Sequence, residues 1–288
     1  MTAGEAPLLT VGIPLHRSRA FVDVVSRNIE SVDRADVEFL ISDRTGHDDA
    51  LEVLAARHAQ DHRVVTLRTI DGAGWVDHCN ALLHRARGRY FCWMPHDDTF
   101  PPGWASALLE CLEADADLLM AFSRIDPVVT DAVQYNLDGY RHPKAGTGAA
   151  PWTVHDAVAT LREWRGGYAF AGMFRRAPVV ERGLLLPRTR DGVDADVAWV
   201  FGMALLGRLR YVDRIAYLKR HNATSAHRVW RRRVTHQLSL GWTLGCFAAR
   251  YGRSPGVSLF ALAAVTDYVA ERLTRESRRR CKQLLGRG

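Results

Sequence analysis

The segment Phe91-Cys92-Trp93-Met94-Pro95-His96-Asp97-Asp98 constrains this chain most, because an apolar run ends abruptly in two adjacent carboxylates and Pro101-Pro102 follow at once. A short hydrophobic run bounded by turn signals reads as a buried strand. Its charged end then lies at the mouth of a sheet, where open α/β sheets receive their ligands. Two neighbouring carboxylates repel each other unless a cation sits between them, and hard divalent cations take oxygen ligands. Mg²⁺ or Mn²⁺ carrying a diphosphate suits such a site. The alternative is a solvated Asp-Asp turn, since aspartate is common in turns.

The residues leading to this point alternate between two periods. Leu8 to Leu15, Val37 to Ser42 and Arg63 to Thr69 are β-rich apolar runs, while Phe21, Val24, Val25, Ile29 and Val32 repeat at helical spacing, as do Trp75, Cys79, Leu82, Leu83 and Ala86. The resulting β-α-β-α-β-α-β order predicts an α/β fold with a largely parallel sheet covered by helices. His16, Asp43, Asp97 and Asp98 close several strands on one edge. That convergence points to a site more strongly than any single motif. No GxGxxG or GxxxxGK[ST] pattern occurs, so neither a dinucleotide fingerprint nor a P-loop is supported.

The middle of the chain is less regular. Asp117 to Ser123 and Arg208 to Val212 read as strands, and Asp191 to Asp196 leads into the apolar segment Val197 to Leu206. Tyr135 to Pro151 is rich in Gly, Pro and Tyr and reads as a substrate-facing loop, in which Tyr140 and nearby Trp152 are candidates for stacking on a sugar. Tyr135, Trp164, Tyr168 and Trp199 are further aromatic candidates. From Val229 onward the pattern is helical, broken near Ser254-Pro255-Gly256.

Composition narrows the class. The five cysteines are odd in number and scattered without a CxxC pair, which argues against a disulfide framework and a structural zinc, and suits a reducing cytosol. Met1 to Pro7 lacks the apolar core of a signal peptide, and Val257 to Val269 falls short of the roughly 20 residues that span a bilayer. A cytoplasmic protein is expected. Of the net charge of +7, residues 231–288 hold 12 Arg/Lys against 3 Asp/Glu, leaving the rest at −2. The positive charge belongs to the tail, which disfavours a nucleic-acid partner. The tail's clusters, Arg231 to Arg233 and Arg278 to Lys282, read as a solvated helical face or as attraction to anionic lipid at the inner face of a membrane. Oligomeric state stays open.

Four segments, in order over about residues 8–228, resemble family 2 glycosyltransferases of the GT-A fold: VGIPLHR, FLISDRTGHDDA, NALLHRARGRYFCWMPHDD, and AFAGMFRR followed by DVAWVFGMALLGRLRYV and KRHNATS. Pro95 departs from the family, standing where many members carry a further Asp. The resemblance implies a GT-A type, Rossmann-like, mixed and mostly parallel sheet with a C-terminal helical extension. It divides the chain into a nucleotide-sugar-binding half (1–100), an acceptor-binding half (101–228) and a basic helical extension (229–288). It further implies transfer of a sugar, with inversion, from a nucleotide sugar, UDP being the expected carrier, to a sugar, lipid-linked or small-molecule acceptor.

Residue by residue, the resemblance places Pro14 and His16 at the nucleotide sugar and Asp43 on its base or ribose. Asp97 would lie near ribose and metal, Asp98 would ligate Mn²⁺ or Mg²⁺ directly, and His221 would stand near diphosphate or metal with Arg220 adding charge. Asn80 and Arg68 would shape the base pocket, or serve as a helix-surface amide and a strand-end cation. Displacement at an anomeric carbon needs a base to take the acceptor's hydroxyl proton. Asp196 matches that base best. Asp194 and Asp191 compete, either being equally suited to capping a helix start. The rival reading is a nucleotidyltransferase or nucleotide-sugar-binding relative, which usually carries a Gly-rich loop and a Lys after the first strand; His16-Arg17 without glycines argues against it.

Overall fold

A computed structural model gives the fold and describes residues 6–43, 46, 48–68, 74–129, 155, 158, 161, 169–221, 234–252 and 254–285, with side chains through residue 274. Strands β1 (Leu9–Leu15), β2 (Val37–Asp43), β3 (Val64–Leu67) and β4 (Tyr90–Trp93) alternate with helices α1 (Val22–Glu30), α2 (Ala50–Arg57) and α3 (Trp75–Arg85). Then come α4 (Trp104–Glu113), β5 (Leu118–Val129), β6 (Met173–Arg175), α5 (Arg176–Glu181), α6 (Ala195–Leu206) and β7 (Arg208–His221). Two long helices, α7 (Val234–Tyr251) and α8 (Pro255–Leu285), close the chain. No described helix is long and apolar enough to cross a membrane.

One seven-stranded sheet runs in the order β3-β2-β1-β4-β6-β5-β7. β1 pairs in parallel with β2 and β4, β2 with β3, and β5 with β7, while β6 runs antiparallel to both of its neighbours. The chain winds outward from β1 through β2 to β3, then crosses to β4 on the other side. Strand order therefore reverses at β1. Carboxyl ends of strands diverge at such a point and leave a crevice, where α/β sheets bind ligands. The mixed, mostly parallel α/β sheet expected from the sequence is present.

Central strands need side chains that tolerate burial on both faces, which explains the unbroken apolar runs. Every residue of β2 is buried, including Glu38 and Asp43. Glu38 accepts hydrogen bonds from Thr10 Oγ1 (2.8 Å) and Arg87 Nε (2.6 Å), and Thr10 Oγ1 accepts one from the Gly88 amide (2.8 Å). This polar knot fixes the register of β1, β2 and the start of β4, and hence where the chain emerges after Trp93. Gly88 is needed there because a Cβ would lie 2.4 Å from the Thr10 backbone nitrogen.

Beneath the crevice, Trp93 packs against Phe91, Phe170, Phe174 and Trp199 with ring centroids 4.9–5.6 Å apart. Trp199 is fully buried in this cluster, so it is a core residue and not a stacking platform for an acceptor. The aromatic contact seats α6 directly on β4. That couples the Asp97-Asp98 turn to the helix carrying Asp196.

Two elements differ from the sequence expectation. β5 and β7 run well past Ser123 and Val212 as a parallel ladder with a bulge near Ser123, and β6 is a three-residue strand inserted between β4 and β5. β7 carries charges such as Asp213 and Arg214 on its exposed positions, so no apolar run announces its length. Pairing with β5 extends it.

Gly88→Ala should lower unfolding free energy by about 2 kcal/mol, the usual scale of forced overpacking. Urea denaturation checks this, and an unchanged midpoint would show that the knot tolerates displacement.

Candidate active site

The turn after β4 is held by three elements. Asn28, buried on α1, donates from Nδ2 to the Asp98 carbonyl (2.9 Å) and accepts the Phe100 amide on Oδ1 (3.0 Å). Thr99 and Leu218 exchange backbone hydrogen bonds of 2.9 and 2.8 Å, an antiparallel bridge between this turn and the end of β7. The bridge register sets Asp98 across from Lys219, Asp97 across from Arg220 and His96 across from His221. The Asp98 carboxylate accordingly accepts the Arg220 amide (2.9 Å) and faces Lys219 Nζ at 3.4 Å, while Arg220 Nε donates to the Asp97 carbonyl (3.2 Å).

The two aspartates are therefore unequal. Asp98 is fully buried, and desolvation raises its carboxyl to about 6 against the pull of Lys219 and the Arg220 amide, with Asp97 adding to the rise. Asp97 is half-exposed, and among the described residues its carboxylate has no hydrogen-bond or ion-pair partner. Asp98 is paired with a cation of the chain itself, and Asp97 is the more exposed carboxylate of the two. His221 is buried at the end of β7. Among the described residues no three His, Cys, Asp or Glu side chains converge closely enough to hold a metal, so Asp97, Asp98 and His221 do not form a ready ligand set. Asp97 alone fits the mode in which Mg²⁺ or Mn²⁺ is held by one or two carboxylates plus substrate phosphates.

A second turn, residues 184–194, carries Asp191 and Asp194 and leads into α6. Asn80 binds Leu186 twice, Nδ2 to its carbonyl and its amide to Oδ1, each at 2.9 Å. Arg188 pairs with Asp77 (2.8 Å), Thr189 Oγ1 donates to the Val193 carbonyl (2.8 Å), and Gly192 packs against the Trp75 indole. The C-terminal helices grip the other side. His236 meets Asp191 (2.9 Å), Ser239 Oγ accepts the Arg190 amide (2.9 Å), and Arg272 pairs with Asp194 (3.1 Å) and bonds the Tyr268 hydroxyl.

These grips hold a strained backbone. Asp191 and Asp194 have φ values of 55° and 58°, and with Arg17 (φ 52°) they are the only described non-glycine residues at positive φ. Arg17 follows β1 and the two aspartates precede α6, and sparsely populated backbone conformations cluster at functional sites. Asp194 takes the N-cap position of α6 and Asp196 sits in its first turn. Burial raises the Asp196 carboxyl above its ordinary range, the Asp194 charge adds to this, and the Val197 amide and Lys219 oppose it. Lys219, the partner of Asp98, is thus also a cation that opposes the rise at Asp196.

Other expected residues fall as follows. Asp43 is buried at the carboxyl end of β2, His16 is exposed just past β1, and the Pro14 carbonyl lies 3.4 Å from His96 Nδ1, all on the crevice edge. Asn80 has both ends of its amide engaged with Leu186. Arg68 is exposed on the outer edge beyond β3, near Glu52 at 3.8 Å, and does not join the cluster. Tyr135, Tyr140, Trp152, Trp164 and Tyr168 lie outside the described residues. Asn28, Lys219 and Arg272 were not anticipated. Asn28 carries a signal in retrospect, a polar residue on an apolar helical stripe; Lys219 was overshadowed by its neighbours Arg220 and His221.

The family model for glycosyl transferase family 2 matches residues 10–181. The chain belongs to glycosyl transferase family 2. No curated protein sequence matches this transferase. Among solved structures, S. aureus TarS 1–349 in complex with UDP-GlcNAc is similar at TM-score 0.66 and 14% identity, over 90% of this chain and 72% of TarS. The mannosyltransferase PcManGT from Pyrobaculum calidifontis, in complex with GDP-Man and Mn²⁺, is similar at TM-score 0.55 and 16% identity, over 94% and 76% of the two chains. At such identity the likeness establishes the GT-A fold.

Asp98→Asn tests the lock through pH. Because the folded carboxyl sits near 6, above its ordinary 3.8, its contribution to stability is full below about pH 4 and is lost as pH rises through about 6. Between pH 4.5 and 7.5 the wild type should lose on the order of 2 kcal/mol that the Asn variant does not. Parallel pH profiles of unfolding free energy for the two proteins would contradict the buried, elevated carboxyl.

Proposed function

We propose that this glycosyltransferase uses a nucleotide-diphosphate sugar and transfers the sugar with inversion, Asp196 acting as base. What supports the reading is packing: Trp199, on the helix that carries Asp196, lies 5.0 Å from Trp93 at the end of β4, just before the Asp97-Asp98 turn, and Asp196 is a buried carboxyl raised above its ordinary range. A raised carboxyl is a stronger proton acceptor once ionised, which suits a general base. UDP is the expected carrier. TarS carries UDP-GlcNAc and PcManGT carries GDP-Man with Mn²⁺, which supports a nucleotide sugar and leaves the base to be tested.

In this mechanism Asp43, at the end of β2, faces the base or ribose across the crevice from Asp97, with Pro14 and His16 along the edge between them. The acceptor's hydroxyl oxygen attacks the anomeric carbon and forms the new C–O bond on the face opposite the departing group. Its proton passes to the Asp196 carboxylate. The old C–O bond breaks, and its electron pair leaves on the diphosphate oxygen. Lys219 and Arg220 stand where that negative charge develops, and preorganised cations there stabilise it without reorganisation. A divalent cation held by Asp97 and the donor's phosphate oxygens would supply further neutralisation by Lewis-acid stabilisation. The Asp194–Arg272 pair keeps the charge beside Asp196 balanced and holds its helix in place. The acceptor is a sugar, a lipid-linked sugar or a small molecule bearing a hydroxyl.

Asp196→Asn should leave UDP-sugar binding by calorimetry within about twofold while turnover falls by 10²-fold or more; retained turnover removes Asp196 from the role. The acid limb of kcat reports the same carboxyl. Asp194→Asn removes a neighbouring negative charge and should move that limb to lower pH, whereas Arg272→Gln leaves Asp194 unbalanced and should move it higher. Limbs that shift together, or not at all, would contradict the coupling.

A further inference from the structure

Helix α1 carries an asparagine among its buried apolar residues. Val22, Val24, Val25 and Ile29 are buried, and so is Asn28, at 1% exposure. A primary amide in such a setting costs free energy unless its groups are hydrogen-bonded. Asn28 meets that need on one short stretch of backbone, the Asp98 carbonyl and the Phe100 amide. The two bonds reach groups two residues apart, so they fix the course of the chain between them. Ser31, which caps the end of α1, adds to the grip. Its Oγ lies 2.8 Å from the Asn28 carbonyl oxygen and 3.4 Å from that of Phe100. At the start of the helix, the Phe21 ring packs on the His96 ring with centroids 5.2 Å apart. Residues 96–100 therefore lie along α1, and Asp97 falls inside the held stretch.

α1 is itself anchored to α2. Ser26 Oγ and His58 Nε2 meet at 2.6 Å in a buried pair just past the end of α2, and Arg57 pairs with Asp23 at 2.7 Å. In the chain α1 follows β1 and leads into β2, the strands that carry Pro14 and Asp43 near their carboxyl ends. The Asn28 bonds thus tie the Asp97 turn to that half of the sheet. The Thr99–Leu218 bridge ties the same turn to β7, with Lys219 and Arg220.

We infer that Asn28, aided by Ser31, is a positioning residue for the Asp97 carboxylate, setting where a divalent cation and the donor diphosphate it carries are held. The inference rests on the donor reading proposed above. Asn28 acts through the backbone of the turn, since both ends of its amide are engaged there. Side chains that orient a metal-binding carboxylate in this way govern metal affinity without touching the ion.

Calorimetric titration of UDP and GDP into Asn28→Ala, with and without Mn²⁺ and well below the unfolding midpoint, tests this. Hydrogen exchange of residues 96–101 in the ligand-free protein gives an independent reading. Asn28→Ala should weaken the Mn²⁺-dependent part of nucleotide affinity by about tenfold or more, leave the remainder within about twofold, and speed exchange in the turn. Ser31→Ala should do the same to a lesser degree, and Ser31→Thr, which keeps the hydroxyl, should restore the wild-type affinity. The two Ser31 variants decide the matter if Asn28→Ala does not fold. A lowered unfolding midpoint with unchanged Mn²⁺-dependent affinity would overturn the inference, leaving Asn28 a purely structural role. So would equal losses with and without Mn²⁺. A wild type whose nucleotide binding ignores Mn²⁺ would instead overturn the metal-assisted donor reading, and this inference with it.

Discussion

Burying the Asp98 carboxylate between the Lys219 ammonium and the Arg220 amide sets the geometry of everything around it. A buried charge is costly unless it is paired and hydrogen-bonded. The chain meets that demand by bringing the end of β7, the last strand of the sheet, across to the turn after β4. The Thr99–Leu218 bridge and the Asn28 clamp keep the two together. With one aspartate so engaged, its neighbour Asp97 is left at the crevice with its carboxylate open. Lys219 and Arg220 are carried to the same spot.

The facing half of the site rests on a different principle. Its turn contains two aspartates in left-handed backbone conformations, which a free loop would abandon. Contacts from α3 on one side and from α7 and α8 on the other over-determine that conformation. The C-terminal helices therefore help to hold this turn. Arg272 illustrates this, because a residue counted with the basic tail is paired with Asp194.

Much of this was legible in the sequence. Apolar runs and helical stripes gave the first four strands and their helices nearly to the residue, because each is buried enough to show its period. His16, Asp43 and the Asp97-Asp98 turn were legible as one edge for the same reason. β6 escaped because three residues carry no period, and the reach of β7 escaped because its exposed face is charged. Which aspartate would be open was hidden, since adjacency in sequence says nothing of which carboxylate a distant lysine will meet. Packing engages the Asn80 amide with Leu186 and the Trp199 ring with Trp93, partners that no local pattern shows.

The division of labour between Asp97 and Asp98 is the centre of the account, and calorimetric titration of UDP and GDP with and without Mn²⁺ measures it most directly when wild type, Asp97→Asn and Asp98→Asn are compared. The account predicts that Asp97→Asn loses the Mn²⁺-dependent part of nucleotide affinity, while Asp98→Asn, compared where it remains folded, keeps it. Loss confined to Asp98→Asn, with Asp97→Asn binding as the wild type does, would contradict it.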